Sequence, residues 1–273
     1  MASRATLLAI LLLAVSLVAL SPEPAAAQNC GCPSGACCSR WGYCGTGFDY
    51  CGDEKCREGP CWRPLPIDVG GIATQQFFDG IKNKAPAQGC PGRGFYTWGA
   101  FLDAARSLPN FGRLWQSQDD AKREIAAFFA HVTQETGSLC KVEEDYKGDY
   151  CNSDVKYRDY PCAPGRKYYG RGPLQVSWNY NYGEAGRDLG FNGLGAPETL
   201  ATDARASFKA SVWFWMRYAR PVMGQGFGAT TRAINGENEC DGRNRVAVDN
   251  RARYYREYCQ QLGVAPGGGR LDC

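Results

Sequence analysis

The sequence predicts a mainly α-helical domain of about 200 residues preceded by a small disulfide-rich module, and three observations carry that prediction. Eight of the 15 cysteines fall between Cys30 and Cys61. Beyond them, three long stretches place apolar residues at helical spacing. No alternating run of strand length stands out, and loops broken by glycine and proline join the helical stretches.

The chain opens with a segment that stands apart from the fold. Arg4 is followed by ATLLAILLLAVSLVAL (5–20), an apolar run without a charge, and then by SPEPAAAQ, with Ala25 and Ala27 just before Gln28. This pattern predicts a secretory signal over residues 1–27, cut after Ala27. The apolar run is shorter than the roughly 20 residues a span requires, so no membrane partner is expected. Secretion fits the cysteines, because disulfides persist in oxidising compartments.

Residues 28–61 hold Cys30, Cys32, Cys37, Cys38, Cys44, Cys51, Cys56 and Cys61. A piece this short buries too little apolar surface to offset the entropy of ordering it, so cross-links must supply the difference. Spacing alone does not choose among the many pairings that eight cysteines allow. WRPLPIDVGG (62–71), with two prolines and two glycines, predicts a short stiff linker over 62–70 and a second domain over 71–273.

Within that domain, DDAKREIAAFFAHVTQET (119–136) carries Ile125, Phe128, Phe129 and Val132 at helical spacing, with Asp119 placed to cap its start. TDARASFKASVWFWMRYAR (202–220) and RVAVDNRARYYREYCQQLG (245–263) predict two further helices, and FLDAARSL (101–108) a shorter one. GCPGRGF, GDYCNSD and YPCAPGRKYYGRGP read as loops. Long loops in a compact domain usually shape a site. A net charge of +3 with scattered Lys and Arg leaves no basic stripe, which argues against a nucleic-acid partner. Tyr 15, Trp 7 and Phe 12 make an aromatic-rich chain, suited to stacking on sugar faces as well as to a core.

Two carboxyls stand out in HVTQETGSLCKVEED. Glu135 falls at the end of the Phe-rich helix, and Glu144 follows past Cys140. A helix end followed by a disulfide-pinned loop can hold two carboxyls across a groove. Cleavage of a glycosidic bond needs such a pair, one protonated and one ionised. Burial near Phe128 and Phe129 would raise the acid's pKa. His131 is the only histidine. It reads as a structural residue packed in its helix, because a zinc site would require further His or Cys ligands.

QNCGCPSGACCSRWGYCGTGFDYCGDEKCREGPC (28–61) resembles the hevein-like chitin-binding module of plant lectins and chitinases. The resemblance implies pairing of Cys30 with Cys38, Cys32 with Cys44, Cys37 with Cys51 and Cys56 with Cys61. It also implies sugar contacts from Ser39, Trp41, Tyr43 and Tyr50. Exposed rings in a module with almost no interior mark a binding surface. The Ser39 hydroxyl would bond an acetamide carbonyl.

AFFAHVTQETG, the Glu-Glu pair, YPCAPGRKYYGRGPLQVSWNYNYG and AINGENEC together resemble the family 19 glycoside hydrolases, and with the module the match is to plant class IV endochitinases. That resemblance implies a lysozyme-like helical catalytic domain with long disulfide-pinned loops. Glu135 would be the general acid, Glu144 the general base, and Ser177 a holder of the attacking water. Gln175, Asn181 and Asn235 would contact sugar, with Glu239 and Arg251 as a supporting pair beside the acid. The implied reaction is a single displacement with inversion, in which the carboxyls stand roughly 6.5–9.5 Å apart or somewhat more. Bridges Cys90–Cys140, Cys151–Cys162 and Cys240–Cys273 are implied, leaving Cys259 as a buried free thiol. No metal or cofactor is called for. The expected partners are chitin and N-acetylglucosamine oligosaccharides, met as a monomer outside the cell. The alternative reading is a chitin-binding defence protein with weak or no catalysis. One position departs from the family pattern, which has His where Gln134 stands; glutamine cannot become charged near neutral pH.

Overall fold

The computed structural model describes residues 30–46, 48–52, 55–61, 67–113 and 117–273. The expected signal (1–27) and the first part of the expected linker (62–66) lie outside the described residues.

In the module, β1 (Cys37–Ser39), β2 (Cys44–Gly45), a one-turn helix α1 (Phe48–Cys51) and β3 (Cys56–Glu58) follow in order. The strands form an antiparallel sheet in the order β2-β1-β3. Disulfides join Cys30 to Cys38, Cys32 to Cys44, Cys37 to Cys51 and Cys56 to Cys61. Cys37, Cys38 and Cys51 are themselves the buried apolar residues, so the interior is largely sulfur.

The rest is mainly helical, as expected. It begins with α2 (Val69–Ile72), α3 (Gln75–Lys82), α4 (Gly92–Phe95) and α5 (Trp98–Ser107), which lead into the central α6 (Gln118–Thr136). After a long loop region come α7 (Asn179–Leu189), α8 (Thr199–Thr202), α9 (Ala204–Phe214), α10 (Phe227–Glu239) and α11 (Arg245–Gln261). Helix α6 is apolar on every side along its middle, where Ile125, Ala126, Ala127, Phe128, Phe129 and Ala130 are all fully buried. That is the pattern of a core helix. Phenyl rings interlock around it at the tilts aromatic pairs favour: Phe101 meets Phe129 at 4.9 Å and 64°, and Phe111 meets Phe128 at 5.2 Å and 71°.

Three details differ from the expectations. The cap of α6 is Ser117, whose backbone is extended and whose hydroxyl accepts from Asp120 N at 3.1 Å. Asp119 lies inside the first turn, where its charge complements the helix dipole instead. Ile67–Gly70, expected as linker, belong to the helical domain: Asp68 caps α2, Val69 is buried, and Arg113 Nε donates to Ile67 O at 3.0 Å. The helix expected over 202–220 starts after its Asp203 cap but stays α-helical only to Phe214. It then widens into a π segment (Trp215–Ala219) and tightens into a 3-10 segment (Arg220–Gln225). Pro221, near the start of the 3-10 segment, lacks the N–H that an i→i−4 ladder would need, so the chain does not return to a regular α-helix there.

Candidate active site

Glu135 sits in the last turn of α6, which Gly137 closes in the left-handed conformation (φ 60°). Beyond it the chain is pinned twice. Cys140 is bridged to Cys90, and Gly92 N donates to Cys140 O at 2.8 Å. A side chain at position 92 would overlap the Leu139 carbonyl, so this crossing requires glycine. The strand-like pairing of Glu143 with Arg171 and of Arg171 with Val176 then fixes the neighbouring Glu144.

Glu143 and Glu144 are separated by that pairing. Glu143 accepts from Arg171 Nε (3.0 Å), Tyr169 Oη (2.7 Å) and Lys147 Nζ (2.9 Å). Burial pushes its pKa up, but these hydrogen bonds outweigh burial and hold it below the ordinary carboxylate value. Glu144 faces the other way. Its Oε1 accepts from Gly170 N at 2.6 Å, its Oε2 accepts from Tyr150 Oη at 3.0 Å, and its own N–H donates to Gly170 O at 2.9 Å. Burial, and then the hydrogen bond to Glu144, push the Tyr150 hydroxyl up to about 12, so it stays a donor.

Glu135 meets Arg251, which is fully buried in the middle of α11. The same guanidinium donates to Glu239 through Nε (2.6 Å) and Nη2 (2.7 Å), while Nη1 lies 2.9 Å from His131 Nδ1. Burial alone would lower the Arg251 pKa, but Glu135 and Glu239 raise it above its ordinary value. Phe128 and Phe129 pack into the aromatic core. The neighbour of Glu135 is thus a guanidinium, where the sequence predicts apolar burial. Glu239 is buried too, which makes Glu239–Arg251 an interior pair and not a helix-surface one.

Glu135, Glu144, Gln175, Ser177, Asn181 and Asn235 all line one groove of ≈ 830 Å³. Arg251 and Glu239 stand behind its wall. Asn235 interrupts α10 with a non-helical backbone (φ −147°, ψ 33°), and its Nδ2 donates to Glu239 Oε1 at 2.8 Å, linking wall to network. Asn181 donates to Ser177 O at 2.9 Å, and its buried Oδ1 has no partner among the described residues. That leaves an acceptor available to a ligand. Gln175 holds a positive φ of 48° and donates to Gly172 O at 2.8 Å. Half-buried Gln134, beside Glu135, does not line the groove.

The groove also has an aromatic wall, formed by residues that the reading of the sequence did not single out. Trp178, 37% exposed and at φ 75°, lies nearly parallel to Tyr180 (6.2 Å, 13°), which stacks on Tyr157 (3.9 Å, 10°). A bulky residue at positive φ stores strain of the sort found at ligand sites. The alternation in WNYNY was the available signal. In the module, Trp41 and Tyr43 are exposed, at 50% and 44%. Tyr50 is half-buried with its ring over Gly45, and Ser39 is buried with its hydroxyl accepting from Tyr43 N at 3.3 Å. Its remaining hydrogen is free to donate.

Two family profiles match the chain: one described as chitin recognition protein, over residues 24–61, and one as chitinase class I, over 72–224 and 219–273. Chitinase 5 from Oryza sativa subsp. japonica is 52% identical over 282 residues, covering 96% of both chains. Endochitinase B from Zea mays is 52% identical over 274 residues, covering 97% of this chain and 96% of its own. Of solved structures, the family GH19, class IV chitinase from Zea mays superposes with a TM-score of 0.70 at 51% identity, covering 74% of this chain and 98% of that one. Chitinase C from Streptomyces griseus HUT6037 gives 0.66 at 33% identity, with 76% and 99% covered. A helical domain with two carboxyls in one groove, joined to a chitin recognition module, defines a glycoside hydrolase directed at chitin. The chain belongs to the family 19 chitinases, joins their catalytic domain to a chitin recognition module, and is similar to a class IV member of the family.

Proposed function

We propose that this chitinase is a secreted, monomeric endochitinase that cleaves β-1,4 linkages between N-acetylglucosamine residues by single displacement with inversion, in defence against fungi. The observation that carries the reading is the presence of Glu135 and Glu144 in one groove with different partners. Glu144 is held by neutral donors, a peptide N–H and a phenol, which suit a carboxylate that takes a proton from water. Glu239 takes two donors of Arg251 and balances its charge, leaving Glu135 to exchange its proton with the leaving oxygen. Ser177, beside Asn181, supplies a hydroxyl for the attacking water. Gln175, Asn181 and Asn235 offer amides to acetamido and hydroxyl groups, and the Trp178–Tyr180–Tyr157 stack offers ring faces to pyranose faces.

Residues 28–61 act as a tether, with Trp41 and Tyr43 as the stacking pair and Ser39 and Tyr50 beside them. Tethering raises the local concentration of the catalytic domain, 71–273 with the packed residues before it, at the polymer without new contacts in the groove. Deleting residues 28–61 is expected to lower release of soluble sugar from crystalline chitin several-fold. Turnover of a soluble chitin oligosaccharide should stay within about twofold of the intact enzyme's, because the groove is untouched. Equal losses on both substrates would reject the tether, and an intact chain inert on both while binding chitin beads would reject the enzyme.

A further inference from the structure

We propose that His131 is a positioning residue of the reaction: as a neutral hydrogen-bond acceptor it fixes the Arg251 guanidinium that meets Glu135. The inference rests on the reading of Glu135 as a reacting carboxyl. It starts from position. His131 lies one helical turn before Glu135, on the same face of α6. The ring is fully buried, and Nδ1 stands 2.9 Å from Arg251 Nη1.

The hydrogen-bond directions then follow from chemistry. A guanidinium can only donate, so Nδ1 must accept and the single ring proton sits on Nε2. Nε2 is 2.8 Å from Thr230 Oγ1, and that hydroxyl donates its own hydrogen to Phe227 O at 2.7 Å. Thr230 is therefore free to accept. One consistent chain runs from Arg251 through His131 and Thr230 to the backbone of α10. Burial and the charge of Arg251 hold the ring's pKa well below its ordinary value, in keeping with this neutral tautomer. The ring has no room to turn. It stacks on Phe227 at 4.7 Å and 15°, Phe227 stacks in turn on Tyr255 at 4.3 Å and 2°, and Trp215 closes on it at 5.9 Å.

The consequence falls on the guanidinium. Its Nε and Nη2 edges are taken by Glu239 and Glu135, and Nη1 is held by His131. Without the third hold, the arginine is held only through its Nε and Nη2 by Glu239 and Glu135, and Nη1 is left buried without an acceptor. The guanidinium then pivots, and the Glu135 carboxyl loses its fixed position in the groove. An ordinary core histidine would contribute packing alone. Here the acceptor atom carries the role, and ring shape can be separated from it.

The test compares His131→Phe, which keeps the ring stack without an acceptor, with His131→Gln, which keeps an acceptor and a donor without the ring. Both are assayed on a soluble chitin oligosaccharide, with thermal melting recorded on the same preparations. His131→Phe is expected to lower kcat roughly ten- to hundredfold with KM within about twofold. His131→Gln should recover kcat to within about fivefold of the natural enzyme, even where it melts lower than the phenyl variant. Natural kcat in His131→Phe, or equal loss in both variants, would overturn the proposal. If the phenyl variant does not fold, the glutamine variant decides alone: a hundredfold loss with unchanged melting overturns it, and near-natural kcat supports it. A Glu135→Gln enzyme that stays active would fail the underlying reading instead, so the two failures are told apart.

Discussion

Glu135→Gln should reduce turnover of a soluble chitin oligosaccharide by roughly 100- to 10,000-fold while leaving the fold intact. The substitution removes the proton that the leaving oxygen needs and little else. Its amide oxygen still accepts from Arg251 Nη2, and the buried Glu239–Arg251 pair keeps its charge balance. Stability should therefore change by no more than about 1 kcal/mol, the worth of one ordinary hydrogen bond. Steady-state kinetics and calorimetry on one preparation check both halves. A variant that keeps more than a tenth of natural kcat would exclude Glu135 as the acid.

Arg251→Met should be the most damaging change to stability. The side chain is fully buried and touches Glu135, Glu239 and His131 at once. Methionine fills much of the volume but leaves Glu239 as an interior carboxylate without a counter-charge and His131 Nδ1 without a donor. Breaking a buried pair in this way typically costs about 3–5 kcal/mol. For a domain of this size each kilocalorie lowers Tm by roughly 2–4 °C, so a fall of about 6–20 °C is expected. Adding Glu239→Leu removes the stranded charge and should return a large part of that stability, since an apolar replacement of a buried pair is often neutral. Activity should not return with it, because Glu135 still lacks its partner. Differential scanning calorimetry of the single and double variants measures the first effect, and kcat the second. A single variant melting within about 2 °C of the natural protein would contradict the network.

The helical stretches were legible wherever one helix carries its own pattern. The apolar spacing in 245–263 reads directly as α11, because burial on that helix follows its period, and 119–136 reads as α6 although the middle of that helix is buried on every side. The ends were less legible. Ser117 and Asp119 both have capping side chains, and only the extended backbone at Ser117 decides between them. Gly70 and Gly71 look like linker, yet Val69 beside them is buried against the helical core. The shift to π and 3-10 turns after Phe214 is hidden by an apolar pattern that continues unchanged.

The site followed a different logic. Glu135 and Glu144 are close in sequence, so a helix end and a pinned loop were enough to suggest a groove. Which carboxylate of the pair at 143 and 144 faces that groove depends on Arg171, Tyr169 and Lys147, two of them more than 25 residues away. His131 read as structural because nothing near it in sequence is its partner; Arg251 and Thr230 reach it from 120 and 99 residues on. The Trp178–Tyr180–Tyr157 stack is likewise assembled by the fold, across a loop that Cys151–Cys162 closes and that Asn179 Nδ2 ties to Asn152 O and Tyr160 O.

The central claim is that two carboxyls act on one glycosidic bond through a single water. The anomeric configuration of the first products tests it most directly, followed by proton NMR within the first minutes of hydrolysis of a soluble chitin oligosaccharide. Direct attack of water held by Glu144 and Ser177 predicts that the new reducing ends appear as the α anomer and reach the β form only by later mutarotation. New reducing ends that appear first as the β anomer would mean that a covalent or acetamide-bridged intermediate intervenes, and would contradict the account.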